Sequence, residues 1–119
     1  MEDSILKTIK KMLGVDPKET SPFDTDIMLD INTTFSILSQ LGVGPSAGFK
    51  ITGDTETWSS YTNDDVKLEM VKTYVFMKVK LMFDPPLSSA VTEVYNKQIA
   101  ELEWRLNVQV DPGQQEESK

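Results

Sequence analysis

The sequence predicts a mainly α-helical domain, a small four-helix bundle with a short β-hairpin or flap between the second and third helices. Three observations carry that reading. Four segments place apolar residues at helical spacing, each bounded by its own start and stop residues. Between the second and third lie about twenty residues rich in Gly, Thr and Ser with no helical period. The chain has 119 residues, one domain, long enough to bury a real core.

The first helix is expected from Ser4 to Leu13. Ile5, Leu6, Ile9, Met12 and Leu13 form its apolar face, and Lys7, Lys10 and Lys11 lie opposite. Gly14 stops it, and Asp16-Pro17 makes a turn. The second is expected to open at Ser21-Pro22-Phe23, with Ser21 as cap and Pro22 at the first helical position. Asp24 and Asp26 then fall in the first turn, where the helix dipole favours negative charge. Phe23, Ile27, Ile31, Phe35 (or Thr34), Leu38 and Leu41 form its stripe, and Gly42 ends it.

Residues 43–62 form the flap. Phe49-Lys50-Ile51-Thr52 and Thr55-Glu56-Thr57-Trp58 read as two extended pieces around a Gly53-Asp54 turn. An isolated hairpin is marginal in water, so this one is expected to lean on the helices or on a partner.

The third helix is expected from Asn63-Asp64-Asp65 to Phe83. It carries two apolar stripes: Leu68, Val71, Val75, Val79 and Met82, and Met70, Tyr74, Met77 and Leu81. Two stripes require two neighbours, which makes this helix the central one. Asp84-Pro85-Pro86 breaks it, because neither proline has an amide donor. The fourth helix starts at Ser88 or Ser89 and runs to about Leu106. Its seam is Leu87, Val91, Val94, Tyr95, Ile99, Leu102 and Leu106. The domain is thus expected over residues 1–107, with a flexible polar tail over 108–119 that opens at Asp111-Pro112-Gly113.

Composition excludes several chemistries. There is no cysteine, hence no disulfide, thiolate nucleophile or Cys-based metal site. There is no histidine, hence no Ser-His-Asp triad. Lys and Arg number 12 against 19 Asp and Glu, a net charge of -7 that has no strong long-range pull on DNA or anionic lipid. No apolar run approaches a membrane span, and Met1-Glu2-Asp3-Ser4 does not open a signal peptide. A binding or structural protein is favoured over an enzyme.

Local motifs agree. Gly42-x-Gly44-x-x-Ala47 has the letters of a dinucleotide fingerprint, but a helix precedes it and Pro45 interrupts it. Asp24, Asp26 and Asp30 lack the central Gly and closing Glu of a calcium loop. No cofactor, metal or catalytic residue is assigned. Charge is uneven: residues 66–83 hold Lys67, Lys72, Lys78 and Lys80 against Glu69, whereas residues 19–40 hold Glu19, Asp24, Asp26 and Asp30 and no base. Stacked copies could pair these signs, and solvated faces explain them equally. Trp104 falls on the polar side of the fourth helix. It either anchors an interface or is covered within its own subunit, and Trp58 in the flap poses the same choice.

Phe83-Asp84-Pro85-Pro86, followed by Gln98-Ile99-Ala100-Glu101-Leu102-Glu103-Trp104-Arg105-Leu106-Asn107, resembles the head-tail connector (adaptor, head-completion) proteins of tailed bacteriophages. Ile31-Asn32, Gln40-Leu41-Gly42-Val43-Gly44, Ile51-Thr52, Trp58 and Val71-Lys72-Thr73-Tyr74 support it, so that it covers about residues 3–107. The resemblance implies a non-enzymatic virion protein at the head-tail interface, assembled in the bacterial host cytoplasm. It implies a ring of about a dozen subunits below the portal protein, through which DNA passes without specific contact. The ring would offer a platform to the next head-completion, stopper or tail protein, with no membrane involved. Trp58, Asp84, Pro85, Pro86, Trp104 and Arg105 are the expected interface residues. The alternative is a small monomeric or dimeric helical scaffolding or regulatory binding protein.

Overall fold

A computed structural model describes residues 4–62 and 64–110, with side chains to Asn107. Its helices are α1 (Ile5–Leu13), α2 (Asp24–Gln40), α3 (Trp58–Tyr61), α4 (Asp65–Phe83) and α5 (Ser89–Val110). The four expected helices are present, α3 is an added single turn, and no strand occurs among the described residues.

Caps set the boundaries. The Ser4 hydroxyl accepts from the Lys7 amide at 3.2 Å and opens α1. Gly14, at φ 85°, closes it by letting its own amide and that of Val15 return to the Lys11 and Lys10 carbonyls. At α2 the expected Ser21 cap holds a turn rather than the helix itself. Its hydroxyl accepts from the Phe23 amide at 3.0 Å, and its amide donates to Asp24 Oδ2 at 3.3 Å. The helix then begins at Asp24. Asp64 opens α4 by accepting from the Val66 and Lys67 amides, and the Ser88 hydroxyl accepts from the Val91 amide at the start of α5.

Helix α4 packs against α1, α2 and α5 and is the central element, as its two stripes require. Val71, Tyr74, Val75 and Val79 are buried. Their neighbours include Ile5 and Ile9 of α1 and Ile27, Ile31, Phe35 and Leu38 of α2, all within one core. Three contacts give the directions. The Phe23 and Phe83 rings meet at 5.7 Å, so α2 runs antiparallel to α4. The Tyr74 hydroxyl donates to Glu103 at 2.7 Å, so α5 returns along α4. Asn107 donates to the Leu41 carbonyl at 3.0 Å, which places the far end of α5 beside the end of α2.

The expected hairpin at 43–62 is not formed. Its backbone groups find other partners. The Asn32 side chain donates to the Ile51 carbonyl at 3.0 Å and accepts from the Ile51 amide at 2.7 Å, doing for one residue what a neighbouring strand would do. The Thr52 amide and hydroxyl both donate to Glu56 Oε2. The sole bridge among the described residues joins Ser4 to Thr57, with the Ile5 amide on the Glu56 carbonyl at 3.0 Å. The segment lies on the helices through Ile51, Trp58 and Tyr61, all buried. Helix α5 continues to Val110, past the expected end at Leu106. The tail expected over 108–119 lies, from residue 111 on, outside the described residues.

Candidate assembly surfaces

The expected interface residues separate into three environments. Trp58 is 1% exposed and belongs to the core. Its ring lies 6.4 Å from Phe35, and the Lys72 ammonium sits 5.8 Å from its centroid. A side chain so covered presents no surface, so the expectation that Trp58 meets a partner is corrected: the flap folds inward because its aromatic residues complete the core. Phe35, Phe49 and Tyr61 form a cluster with centroids 4.9–5.2 Å apart.

The Asp84-Pro85-Pro86 corner is at the surface, with Asp84 and Pro85 exposed and Pro86 half-buried. The Asp84 carboxylate takes the Lys80 ammonium at 3.0 Å across one helical turn, fastening the end of α4. Trp104 is 66% exposed on α5. Beside it, the Arg105 guanidinium donates twice to Glu101 Oε2, at 2.9 and 2.7 Å. The Trp104 surface therefore stands on a helix whose own charges are partly paired.

Two apolar surfaces were not legible as such in the sequence. Leu87, Val91 and Val94, read there as a buried seam, are exposed. Only the second half of α5, through Ile99 and Leu106, reaches the core. The other surface is a groove lined by Phe23, Asp26, Leu29, Asp30, Met82 and Phe83. Phe23 is 52% and Leu29 60% exposed, and Met82 is exposed as well. Leu29 offered the signal, since it lies off the Ile27-Ile31-Phe35 stripe.

Burial would raise the Asp24 carboxyl, but the Lys10 ammonium at 2.9 Å and the Ser21 amide hold it below its ordinary value. Lys10 is itself buried and also donates to the Glu19 carbonyl at 2.7 Å. Burial likewise opposes ionisation of Glu56, yet hydrogen bonds led by Thr52 bring it below normal. Burial raises Tyr61, and burial together with Glu103 raises Tyr74. Asp30 is raised by burial and by the neighbouring Asp26 charge. Among the described residues no three carboxylates converge on a metal position, and no helix is long and apolar enough to cross a membrane.

What the molecule offers is apolar surface around a complete core. No curated protein and no solved structure matches the chain. A family model described as phage connector protein matches residues 5–113, which takes in every helix, the corner and both apolar surfaces. The chain belongs to the phage connector protein family.

Proposed function

We propose that this chain is a structural, non-enzymatic subunit of the phage head-tail connector, and that it works as a ring below the portal. The ring extends the DNA channel and docks the next head-completion or tail protein. Its place is the virion, at the head-tail interface, after assembly in the host cytoplasm. The observation that carries this reading is the exposure of Leu87, Val91 and Val94 at the start of α5, and separately of Trp104 towards its other end, on a subunit whose core is already closed. Exposed apolar side chains grouped in this way mark an interaction site. Asp84, Pro85 and Pro86 fix the angle at which α5 leaves α4 and so aim that surface. The net charge of -7 suits a channel that lets DNA slide rather than grips it.

Native mass spectrometry of the purified protein, followed by negative-stain imaging after mixing with the cognate portal, tests this. Closed rings, alone or stacked on the portal, are the expected result. Monomers or dimers that ignore the portal at every concentration would favour the small scaffolding or regulatory protein instead.

A further inference from the structure

Helix α5 carries two seams. Tyr95, Ile99, Leu102 and Leu106 follow one another at alternating steps of four and three and face the core. On the other side of the helix, Ala90, Val94, Lys97, Glu101 and Trp104 recur at the same steps. All five are exposed, Val94 at 51% and Trp104 at 66%. Spacing of this kind is what one helix offers to another.

The order of residues along the outer seam says which helix fits it. Counted outward from the level of Ile99, Lys97 on one side is matched by Glu101 on the other, and Val94 by Trp104. An antiparallel copy, related by a two-fold axis at that level, therefore sets Lys97 against Glu101 of the second copy, and Trp104 against its Val94, each twice. Glu93 comes level with Arg105 of the second copy. Every charge of the seam and its edge then meets its opposite: two acids, Glu93 and Glu101, and two bases, Lys97 and Arg105. A parallel copy would set Lys97 on Lys97 and Glu101 on Glu101, so the charges select the orientation. The groups are available for this. Glu93 and Lys97 make no ion pair among the described residues. Glu101 receives Arg105 on Oε2 alone, which leaves Oε1 open. Glu103 lies off the seam and takes the Tyr74 hydroxyl, so it stays out of the contact.

We infer that a second copy of this chain covers the outer seam of α5, antiparallel and two-fold symmetric, and that the free protein is a dimer. The contact is isologous, and it closes on two copies without adding a third. It goes beyond the ring reading and does not depend on it.

The test uses substitutions of exposed side chains, so that folding survives: Lys97→Glu, which leaves the middle of the seam all acidic, and Glu101→Lys, which leaves it all basic. Circular dichroism checks that both keep their helices. Oligomeric state is read by native mass spectrometry and sedimentation, without the portal. The wild type is expected to be dimeric. Each variant alone is expected to be monomeric at concentrations where the wild type pairs, because like charges then meet across the two-fold. Their equimolar mixture is expected to give the heterodimer, since both opposing pairs are restored with their signs exchanged. Trp104→Ala should weaken the wild-type dimer without disturbing the helices.

A wild type that stays monomeric at every concentration overturns the inference; rings formed by that protein on the portal would leave the ring reading standing. If both charge variants keep the wild-type assembly state, the contact lies elsewhere and the inference falls. It falls also if both are monomeric and do not pair when mixed, because the antiparallel register is then wrong. Dimers that obey the charge exchange but build no ring on the portal would support this inference and defeat the ring reading.

Discussion

Lys10 and Asp24 show how one ion pair can hold a loop. The ammonium is almost fully buried and bridges α2 and the Glu19 carbonyl, so it ties residues 15–23 to α1. Removing one partner of such a pair leaves the other poorly solvated. Lys10→Ala is expected to destabilise by about 2–4 kcal/mol. Lys10→Met with Asp24→Asn should recover much of that, and urea unfolding measures both. The pH dependence follows from the sign of the shift. A carboxyl held below its unfolded value stabilises the fold above that value, near 3.8, and the contribution fades as pH falls through the lower, folded value. The lysine variant should therefore show a shallower loss of stability on acidification; an acid limb as steep as the wild type would count against the pair.

Gly44 is a second single-residue constraint. Its φ of 92° is open to glycine, and a Cβ there would stand 2.7 Å from the Tyr61 ring. Gly44→Ala should cost about 1–3 kcal/mol, because Tyr61 is packed between Phe35 and Phe49 and cannot retreat. Thermal melts of the variant check this. A melting temperature equal to that of the wild type would show that the loop relaxes instead.

At the scale of elements, the helices were legible because period, cap and breaker coincide. Ser4 and Gly14 bracket α1, and Asp64 and Asp84 bracket α4. The loop was not legible because its partners are distant in sequence. Asn32 lies 19 residues from Ile51, and nothing in the pattern around Ile51 reveals that a side-chain amide will satisfy its backbone. Trp58 failed for a related reason: an aromatic outside any periodic run does not reveal which way it turns. Asn32→Leu should leave the Ile51 amide and carbonyl without partners, costing about 1–3 kcal/mol. The amide of Ile51 should then exchange with solvent faster than in the wild type, with α4 amides much less affected. Equal acceleration throughout would mean global rather than local loosening.

The corner between α4 and α5 belongs to this scale too. Changing Pro85 and Pro86 to alanine removes the restriction that ends α4. We expect it to weaken assembly more than it weakens the folded subunit, since both residues touch little of the core. Parallel losses of melting temperature and of portal binding would contradict that separation.

For the whole molecule, the sequence told which residues are apolar at helical spacing but not which faces find a neighbour. The Leu87-Val91-Val94 strip has the same period as the Ile99-Leu106 strip, yet only the second is covered. Periodicity defines a face, and the number of elements available decides whether it is buried. With α4 as its main neighbour, α5 has one half enclosed and the other half left uncovered. The candidate surfaces were therefore half legible. Trp104 and the proline corner stood out by residue type, whereas the groove needs α2 and α4 brought together. Val75→Asp tests the core side of this division. A carboxylate at that fully buried position should abolish cooperative unfolding, read by circular dichroism, because its desolvation cost rivals the stability of a small domain.

The bridge between Ser4 and Thr57 has a bearing on how the subunit is made. It joins residues separated by some fifty positions, and α1 has its remaining partners in α2 and α4. During synthesis the apolar face of α1 therefore emerges long before the residues that will cover it. It has to wait for α4, which brings Val71 and Val75, and for the second half of α5, whose Ile99 and Leu106 complete the core. A domain with that order of contacts gains little from folding piecemeal on the ribosome, and its burial comes late and in one step. Trp104 lies on that same half of α5. The exposed Trp104 is thus among the last parts of the helical body to appear, after the Phe23-Leu29-Met82 groove has been made.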